Sequence, residues 1–317
     1  MKIPFERTLV GAYGFAFTNA LSILGIAWFP FLLVGLTVGG LVYSLLPLFN
    51  NLLATSADKW DETQIVPFVT SLIGSAVVLL VVFFLAYAMV MVGLMRKALG
   101  QHPAPVYFYF SLGEQMWRMI GAYLLLLLLA WGVMIAFGIG LAIVGFVLAK
   151  VSQAAQSIAM ALLILGGIFG GTYALVRVQF FLPAVVVAEH HIGLHRSWNL
   201  GRGNFWRIVG IAILVTLPAY IVFTTLISVV LQISMANHAA VLTGFSAHPM
   251  NGTVSPEEVR QYMQTILTAL EKSWPVLAVL QLLYLITLTG LTAGAVATAY
   301  NLVTGAAQAS NSTKAIS

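Results

Sequence analysis

Six long apolar stretches limit the fold of this chain more than any other feature, and they lie at 21–48, 66–95, 119–149, 156–187, 206–234 and 275–303. Each is at least as long as the roughly 20 apolar residues that an α-helix needs to cross a bilayer. Hydrophobic residues make up 61% of the chain and charged residues 7%, which is more apolar surface than a soluble fold can bury. The sequence therefore predicts an all-α, polytopic membrane bundle of six transmembrane helices that forms one domain over 1–307.

The loops between these stretches differ in charge. One set of loops and ends carries 10 of the 14 lysines and arginines and 3 of the 9 acidic residues, and the other carries the remaining 4 basic and 6 acidic residues. The richer set contains Lys2, Arg7, Arg96, Lys97, Arg118, Arg177, Arg196, Arg202, Arg207 and Lys314. By the positive-inside rule, this set and both termini are predicted to face the cytoplasm.

The largest loop on the other side spans 235–274 and contains a helix signal. Ser255, Pro256 and Glu258 have the pattern of an N-cap, a first-turn proline and a capping-box glutamate. The residues that follow are apolar at three- and four-residue spacing. We expect an amphipathic helix on the outer membrane interface or over the end of the bundle, and a flexible cytoplasmic tail at 308–317.

A weak internal repeat accompanies the odd-numbered stretches. Similar pentapeptides end at Gly25, Gly121 and Gly210, at intervals near 90 residues, and the last two both begin with Trp-Arg. Internal repeats are a common way of building membrane folds. The pattern favours three parallel hairpins, each preceded by an interfacial segment, although interfacial anchoring alone also selects Trp and Arg at such positions.

The polar residues concentrate in the segment 177–210. Its turn at 197–204 precedes the fifth stretch, so its backbone amides are placed to meet an anion, and arginines flank it. At the cytoplasmic leaflet that anion is predicted to be an anionic phospholipid, since each basic residue there contributes about 1 kcal/mol of attraction. An ordinary helical corner with topology-marking arginines explains the same pattern. The predicted headgroup contacts are Arg196, Trp198, Arg202, Gly203, Asn204 and Arg207.

Arg177 and Glu189 bracket Pro183 near the end of the fourth stretch. Ionisable residues inside a membrane are candidates for function. Twelve residues correspond to about three helical turns, so a direct pair requires a kink at Pro183 or a contact from another hairpin. We interpret the two residues as part of a structural network, and as a polar pair at the inner mouth of a pathway if the protein is a transporter.

Histidines are the remaining candidates for chemistry. His191 and His195 are spaced i and i+4, which would allow both to bind zinc if one helix carried them. Gly193 weakens that helix, and no further ligand lies nearby in the sequence. The chain has no cysteine, so thiolate chemistry is excluded. Its basic residues never form a run, which argues against nucleic acid as a partner. The sequence predicts no cofactor and no catalytic residue.

A further pattern within 177–207 consists of Arg177, Phe180, Pro183-Ala184-Val185, Glu189, Ser197-Trp198, Leu200 and Gly203-Asn204-Phe205-Trp206-Arg207. This pattern resembles a six-span bacterial membrane family, the membrane domain of glycerophosphoryl diester phosphodiesterase with the related YciC-like inner-membrane proteins. The resemblance implies a bacterial cytoplasmic membrane. It does not imply phosphodiesterase activity, because that belongs to a catalytic barrel for which this sequence leaves no room.

These observations favour a non-enzymatic membrane protein that contacts lipids, or a membrane protein partner, through its basic cytoplasmic face. The alternative is a transporter or channel for a small solute or lipid, with a pathway between the hairpins. A membrane-embedded enzyme rests only on the two histidines. The lack of an acidic residue deep in any stretch argues against a proton-coupled transporter.

Overall fold

The computed structural model describes residues 2–54, 62–102, 104, 106–150, 152–236 and 256–305. Every regular element in these ranges is an α-helix, which confirms the all-α prediction. The helices are α1 Phe5–Thr18, α2 Ala20–Ala54, α3 Glu62–Ala98, α4 Glu114–Ala149, α5 Gln153–Gln179, α6 Leu182–Glu189, α7 Leu194–Leu200, α8 Phe205–Ala236 and α9 Pro256–Thr304.

Six helical segments are long and apolar enough to cross a membrane, as the apolar stretches predicted. They are Ala20–Leu48, Ile65–Ala98, Glu114–Ala149, Gln156–Glu189, Phe205–Ala236 and Glu271–Thr304. Each boundary lies within five residues of its predicted position. The chain is therefore a multi-pass membrane protein.

The helices end where the local sequence cannot continue them. Gly100 adopts a left-handed conformation with a φ of 77°, and the amides of Gly100 and Gln101 donate to the carbonyls of Lys97 and Arg96. This pattern is a Schellman motif, which satisfies the last carbonyls of α3. The fourth span is interrupted before Pro183, which lies in the first turn of α6. A proline is tolerated there because its missing amide would have had no helical partner.

The six spans pair as three hairpins. Hairpin 1 is α2 with α3, hairpin 2 is α4 with α5 and α6, and hairpin 3 is α8 with α9. The ends of α3, α6 and α9 also contact one another. We call the end of the bundle where α2, α4 and α8 begin, and where α3, α6 and α9 end, the basic end. Nine of the ten basic residues of the richer set lie there, and Lys314 lies outside the described residues.

The packed core lies in the half of the bundle next to the basic end. Its largest buried side chains come from the start of α2, α4 and α8 and from the end of α3, together with α6 and the segment before α1. In the opposite half, α4 and α5 expose most of their apolar side chains. Lipid covers such surfaces in a membrane, so they need no protein partner.

The predicted amphipathic helix begins at Pro256 and is not a separate element. It continues without a break through the last span to Thr304, which makes α9 49 residues long. At 1.5 Å per residue this helix measures about 73 Å, more than twice the hydrocarbon thickness. The first turns of α9 are therefore a continuation of the last span that exceeds the hydrocarbon thickness. Residues 237–255 of the loop and the predicted tail at 308–317 lie outside the described residues.

The repeated glycines connect the hairpins in cyclic order. The segment that leads into each hairpin, residues 2–19, 99–113 or 190–204, lies against a glycine on the first helix of the preceding hairpin. A Cβ on Gly25 would overlap the carbonyl of Val106, one on Gly121 would lie 3.2 Å from Ile192, and one on Gly210 would lie 3.0 Å from Phe5. Hairpin 1 thus holds the segment leading into hairpin 2, hairpin 2 holds that of hairpin 3, and hairpin 3 holds that of hairpin 1.

Hydrogen bonds repeat the same order at the starts of these helices. Ser22 Oγ accepts from the amide of Val106 at 3.3 Å. Gln115 Nε2 lies 3.1 Å from His190 Nδ1, and Asn204 Oδ1 accepts from the amide of Ile3 at 2.9 Å. Gln115 and Asn204 both lie six residues before their glycine, so the repeat in the sequence corresponds to a repeated contact.

Candidate lipid-contact surface at the basic end

Arg177 is the buried centre of the corner between α5 and α7. Its residue is 6% exposed, and its Nε donates to the carbonyl of Trp198 at 2.9 Å. The guanidinium lies 3.9 Å from the Trp198 ring centroid, and its Nη1 donates to Tyr173 Oη at 3.2 Å. A Cβ on Gly201 would lie 2.6 Å from Arg177 Cγ. The hydrogen bonds and the cation–π contact hold the charge in place, and they leave Arg177 a structural role.

Glu189 has different partners from Arg177. Its Oε1 accepts from Arg196 Nε at 3.0 Å and from Tyr300 Oη at 2.9 Å. The carboxylate therefore joins the end of α6 to α7 and to the end of α9. Arg177 and Glu189 make no direct ion pair within the described ranges, because Pro183 restarts the helix and the turn after α6 brings Arg196 back to the carboxylate.

The histidines do not share a helix. Helix α6 ends at Glu189, His190 adopts a left-handed conformation with a φ of 56°, and α7 begins at Leu194. His191 Nδ1 lies 3.0 Å from the carbonyl of Glu189, whereas His195 Nε2 lies 2.9 Å from Asn199 Nδ2. The helix that would place His191 and His195 over one zinc ion is absent from this part of the described chain. No group of three or more His, Asp or Glu side chains suited to a metal occurs in the described ranges.

The turn at 197–204 presents some of its polar side chains outward and buries others. Arg202 is exposed, and its guanidinium makes no hydrogen bond or ion pair with the described residues. Gly203 adopts a φ of 74°, a conformation that glycine accepts without strain. Asn204 is 1% exposed, and its Nδ2 lies within hydrogen-bond range of the carbonyls of Leu200 and Arg202. Asn204 closes the corner rather than facing a headgroup.

Arg207 connects the corner to the start of the chain. Its Nη1 donates to the carbonyl of Ile3 at 2.7 Å, and Asn204 binds the amide of the same residue. Ile3 is fully buried. The amide and the carbonyl of Ile3 thus attach the segment before α1 to the start of α8. Among the predicted headgroup contacts, Arg196 and Arg202 are the exposed arginines, and Arg207 is partly exposed.

Sequence reasoning missed Tyr173, Tyr300 and Ile3. Tyr173 precedes Arg177 by four residues on one helix, a spacing that brings side chains together and could have identified it. Tyr300 and Ile3 reach Glu189 and Asn204 from 111 and 201 residues away. No local pattern marks either contact.

A comparison of the chain with protein-family models, with curated proteins and with solved structures finds no match. The resemblance of the segment 177–207 to the six-span bacterial family therefore stays a prediction.

Proposed function

We propose that this protein is a non-enzymatic integral membrane protein that binds anionic phospholipids at its basic end. In this proposal the basic end faces the cytoplasm of a bacterium and Arg196 and Arg202 are the main headgroup contacts. The observation that carries the proposal is the corner itself, in which a buried Arg177 supports the turn and the exposed guanidinium of Arg202 has no partner among the residues that the structure describes.

The distribution of roles among the arginines supports this proposal. The guanidinium of Arg177 is buried and bonded within the corner. The side chain of Arg196 is 49% exposed, and among the described residues it donates only through its Nε, to Glu189. The remaining donors of Arg196 and all side-chain donors of Arg202 make no hydrogen bond with the described residues. A guanidinium group can bind phosphate in a bidentate manner. The family resemblance supports a bacterial cytoplasmic membrane as the proposed location.

Native mass spectrometry with added phosphatidylglycerol tests the proposal. We expect the double variant Arg196→Gln/Arg202→Gln to bind this lipid about thirtyfold more weakly, since each basic residue contributes about 1 kcal/mol near an anionic surface. A double variant at the opposite end, Lys150→Gln/Lys272→Gln, removes the same charge and should bind as the wild type does. Equal losses in both variants, or none in either, would contradict the proposal.

A lipid transporter is the second candidate, and one cavity favours it. A space of about 520 Å³ lies between α2, α8 and α9, lined by apolar side chains such as Phe31, Val38, Ile227 and Leu282, with Gln281 among them. A volume in this range suits a bound ligand. Its apolar lining suits an acyl chain rather than a hydrated solute.

Transfer of a fluorescent phospholipid between the leaflets of proteoliposomes separates the two candidates. Transfer that depends on the protein, and that Leu282→Trp slows by filling the cavity, would support the transporter. Transfer equal to that of protein-free liposomes would leave lipid binding at the basic end as the function.

A further inference from the structure

A second cavity, which is shallow and open to the surface, lies where the start of the chain crosses the start of α8. Its volume is about 600 Å³, and it is lined by Pro4, Phe5, Glu6, Arg7, Trp206 and Arg207. The bonds of Ile3 to Asn204 and Arg207 join the two segments that line the cavity.

Two guanidinium groups and an indole give this cavity its chemistry. Arg207 spends one nitrogen on the carbonyl of Ile3, which leaves its Nε and Nη2 for another acceptor. Arg7 is exposed and has no hydrogen-bond or ion-pair partner among the described residues. Two arginines that line one space suit a phosphate, which accepts paired hydrogen bonds from guanidinium groups. Trp206 is 78% exposed, as is typical of an indole at the level of lipid headgroups.

Glu6 contributes a carboxylate to the lining of the cavity. Two arginines and one glutamate can meet a ligand that carries a phosphate and a cationic amine together. Glu6 also lies in the first turn of α1, where a carboxylate is stabilised by the helix dipole. If Glu6 binds the amine, the choice of ligand depends on this carboxylate. If Glu6 only interacts with the helix dipole, it does not.

The repeat supplies an internal comparison for this site. Trp117 and Arg118 occupy the positions in α4 that Trp206 and Arg207 occupy in α8. Arg118, however, is paired with Glu114 in the first turn of α4. The guanidinium at this equivalent position is therefore already ion-paired, whereas that of Arg207 lines a cavity together with Arg7.

We infer that the cavity binds the headgroup of an aminophospholipid, with the phosphate on Arg7 and Arg207 and the ammonium near Glu6. This inference rests on the proposed lipid-binding role of the basic end and adds a second site with a different headgroup preference. The same chemistry occurs in a soluble glycerophosphodiester with an amine, so the test separates the lipid from the free compound.

Native mass spectrometry of the full chain in detergent, titrated with phosphatidylethanolamine, phosphatidylglycerol or glycerophosphoethanolamine, provides the test. We expect Arg7→Ala to weaken phosphatidylethanolamine binding about tenfold, as for the loss of a charge-assisted contact. Glu6→Gln should weaken phosphatidylethanolamine and leave phosphatidylglycerol unchanged. Arg118→Ala, the matched control from the other repeat, should bind both lipids as the wild type does.

The outcomes distinguish this site from the proposed function. If Arg7→Ala leaves phosphatidylethanolamine binding unchanged while Arg196→Gln/Arg202→Gln still weakens phosphatidylglycerol, the inference is wrong and the proposed function stands. If Arg7→Ala weakens phosphatidylethanolamine binding while Arg196→Gln/Arg202→Gln leaves phosphatidylglycerol binding unchanged, the inferred site is supported and the proposed headgroup contacts at the corner are wrong. If glycerophosphoethanolamine binds as tightly as the lipid and depends on Arg7, the cavity is supported and its ligand is the free phosphodiester. A loss in Arg118→Ala equal to that in Arg7→Ala would overturn the inference.

Discussion

At the scale of single residues, the arginines of the basic end differ in burial and therefore in role. Arg177 is buried between a carbonyl and two aromatic rings, whereas Arg202 is exposed on the same corner. A buried guanidinium is tolerated only where its donors and charge are compensated. The buried charge of Arg177 therefore supports the corner, whereas the charge of Arg202 is available at the surface. The sequence alone does not distinguish these two arginines of one segment.

Removal of Arg177 should destabilise the protein without a direct effect on its surface charge. Arg177→Ala leaves the carbonyl of Trp198 and the hydroxyl of Tyr173 without their donor and empties space beside Gly201, so we expect a loss of about 2–4 kcal/mol. Arg202→Ala on the same corner should cost less than about 0.5 kcal/mol. Thermal unfolding of the purified protein in one detergent measures both. Similar losses in the two variants would show that the corner does not depend on Arg177.

At the scale of elements, the effect of a glycine substitution on stability should depend on whether the glycine lies in close contact with another segment. In Gly25→Ala the new Cβ would lie 2.7 Å from Tyr107 Cα and would overlap the carbonyl of Val106. Both are backbone atoms that cannot turn away, so we expect a loss of about 1–3 kcal/mol and faster proteolysis within 99–113. Gly40→Ala in the same helix meets nothing within 4 Å and should be neutral or stabilising by up to about 1 kcal/mol. If Gly40→Ala is the more harmful change, the segment is not held by Gly25.

The elements also divide into those that the sequence predicts and those that it does not. The six spans follow from apolar length alone, because a bilayer requires a fixed length of helix. The break before Pro183 follows from the covalent structure of proline. The first span was predicted to begin at 21 after an interfacial segment, and that segment forms helix α1, which ends at the C-cap residue Asn19. The placement of Val106 against Gly25 depends on a backbone contact 81 positions away, which no periodicity reveals.

The candidate surface was likewise predicted in part. The segment 177–207 was identified because charge is rare elsewhere in the chain, and charge density is a local property. The role of each arginine could not be predicted locally, because it depends on which distant part of the chain contacts its side chain. Arg196 meets Glu189 through a turn, and Arg207 meets Ile3 from the far end of the chain. The sequence therefore located the surface but not its division into supporting and exposed side chains.

At the scale of the whole molecule, the cyclic order of contacts gives the bundle a packed half and an open half. Each leading segment fills the space against a neighbouring hairpin at the basic end, so the described core concentrates there. No equivalent segment fills the other half in the described ranges, where apolar surfaces of α4 and α5 face outward. The two cavities follow this division, since the polar one lies at the basic end and the apolar one between exposed parts of the spans.

The two ends of the molecule should lie on opposite sides of the membrane, with the basic end in the cytoplasm. Positive residues are retained on the cytoplasmic side during insertion, and the excess at the basic end exceeds that of the other loops. The chain contains no cysteine, so a single introduced thiol reports its own location. Arg202 and Lys150 are both exposed, at opposite ends of the bundle, and Arg202→Cys and Lys150→Cys form a matched pair.

In right-side-out vesicles, a membrane-impermeant maleimide should label Lys150→Cys at once and Arg202→Cys only after the vesicles are permeabilised. Labelling of both variants in permeabilised vesicles controls for accessibility of the thiols. The reverse order would place the basic end outside the cytoplasm. It would then remove the anionic leaflet on which the lipid-binding proposal depends, because the attraction of Arg196 and Arg202 requires the negative surface potential of the cytoplasmic leaflet.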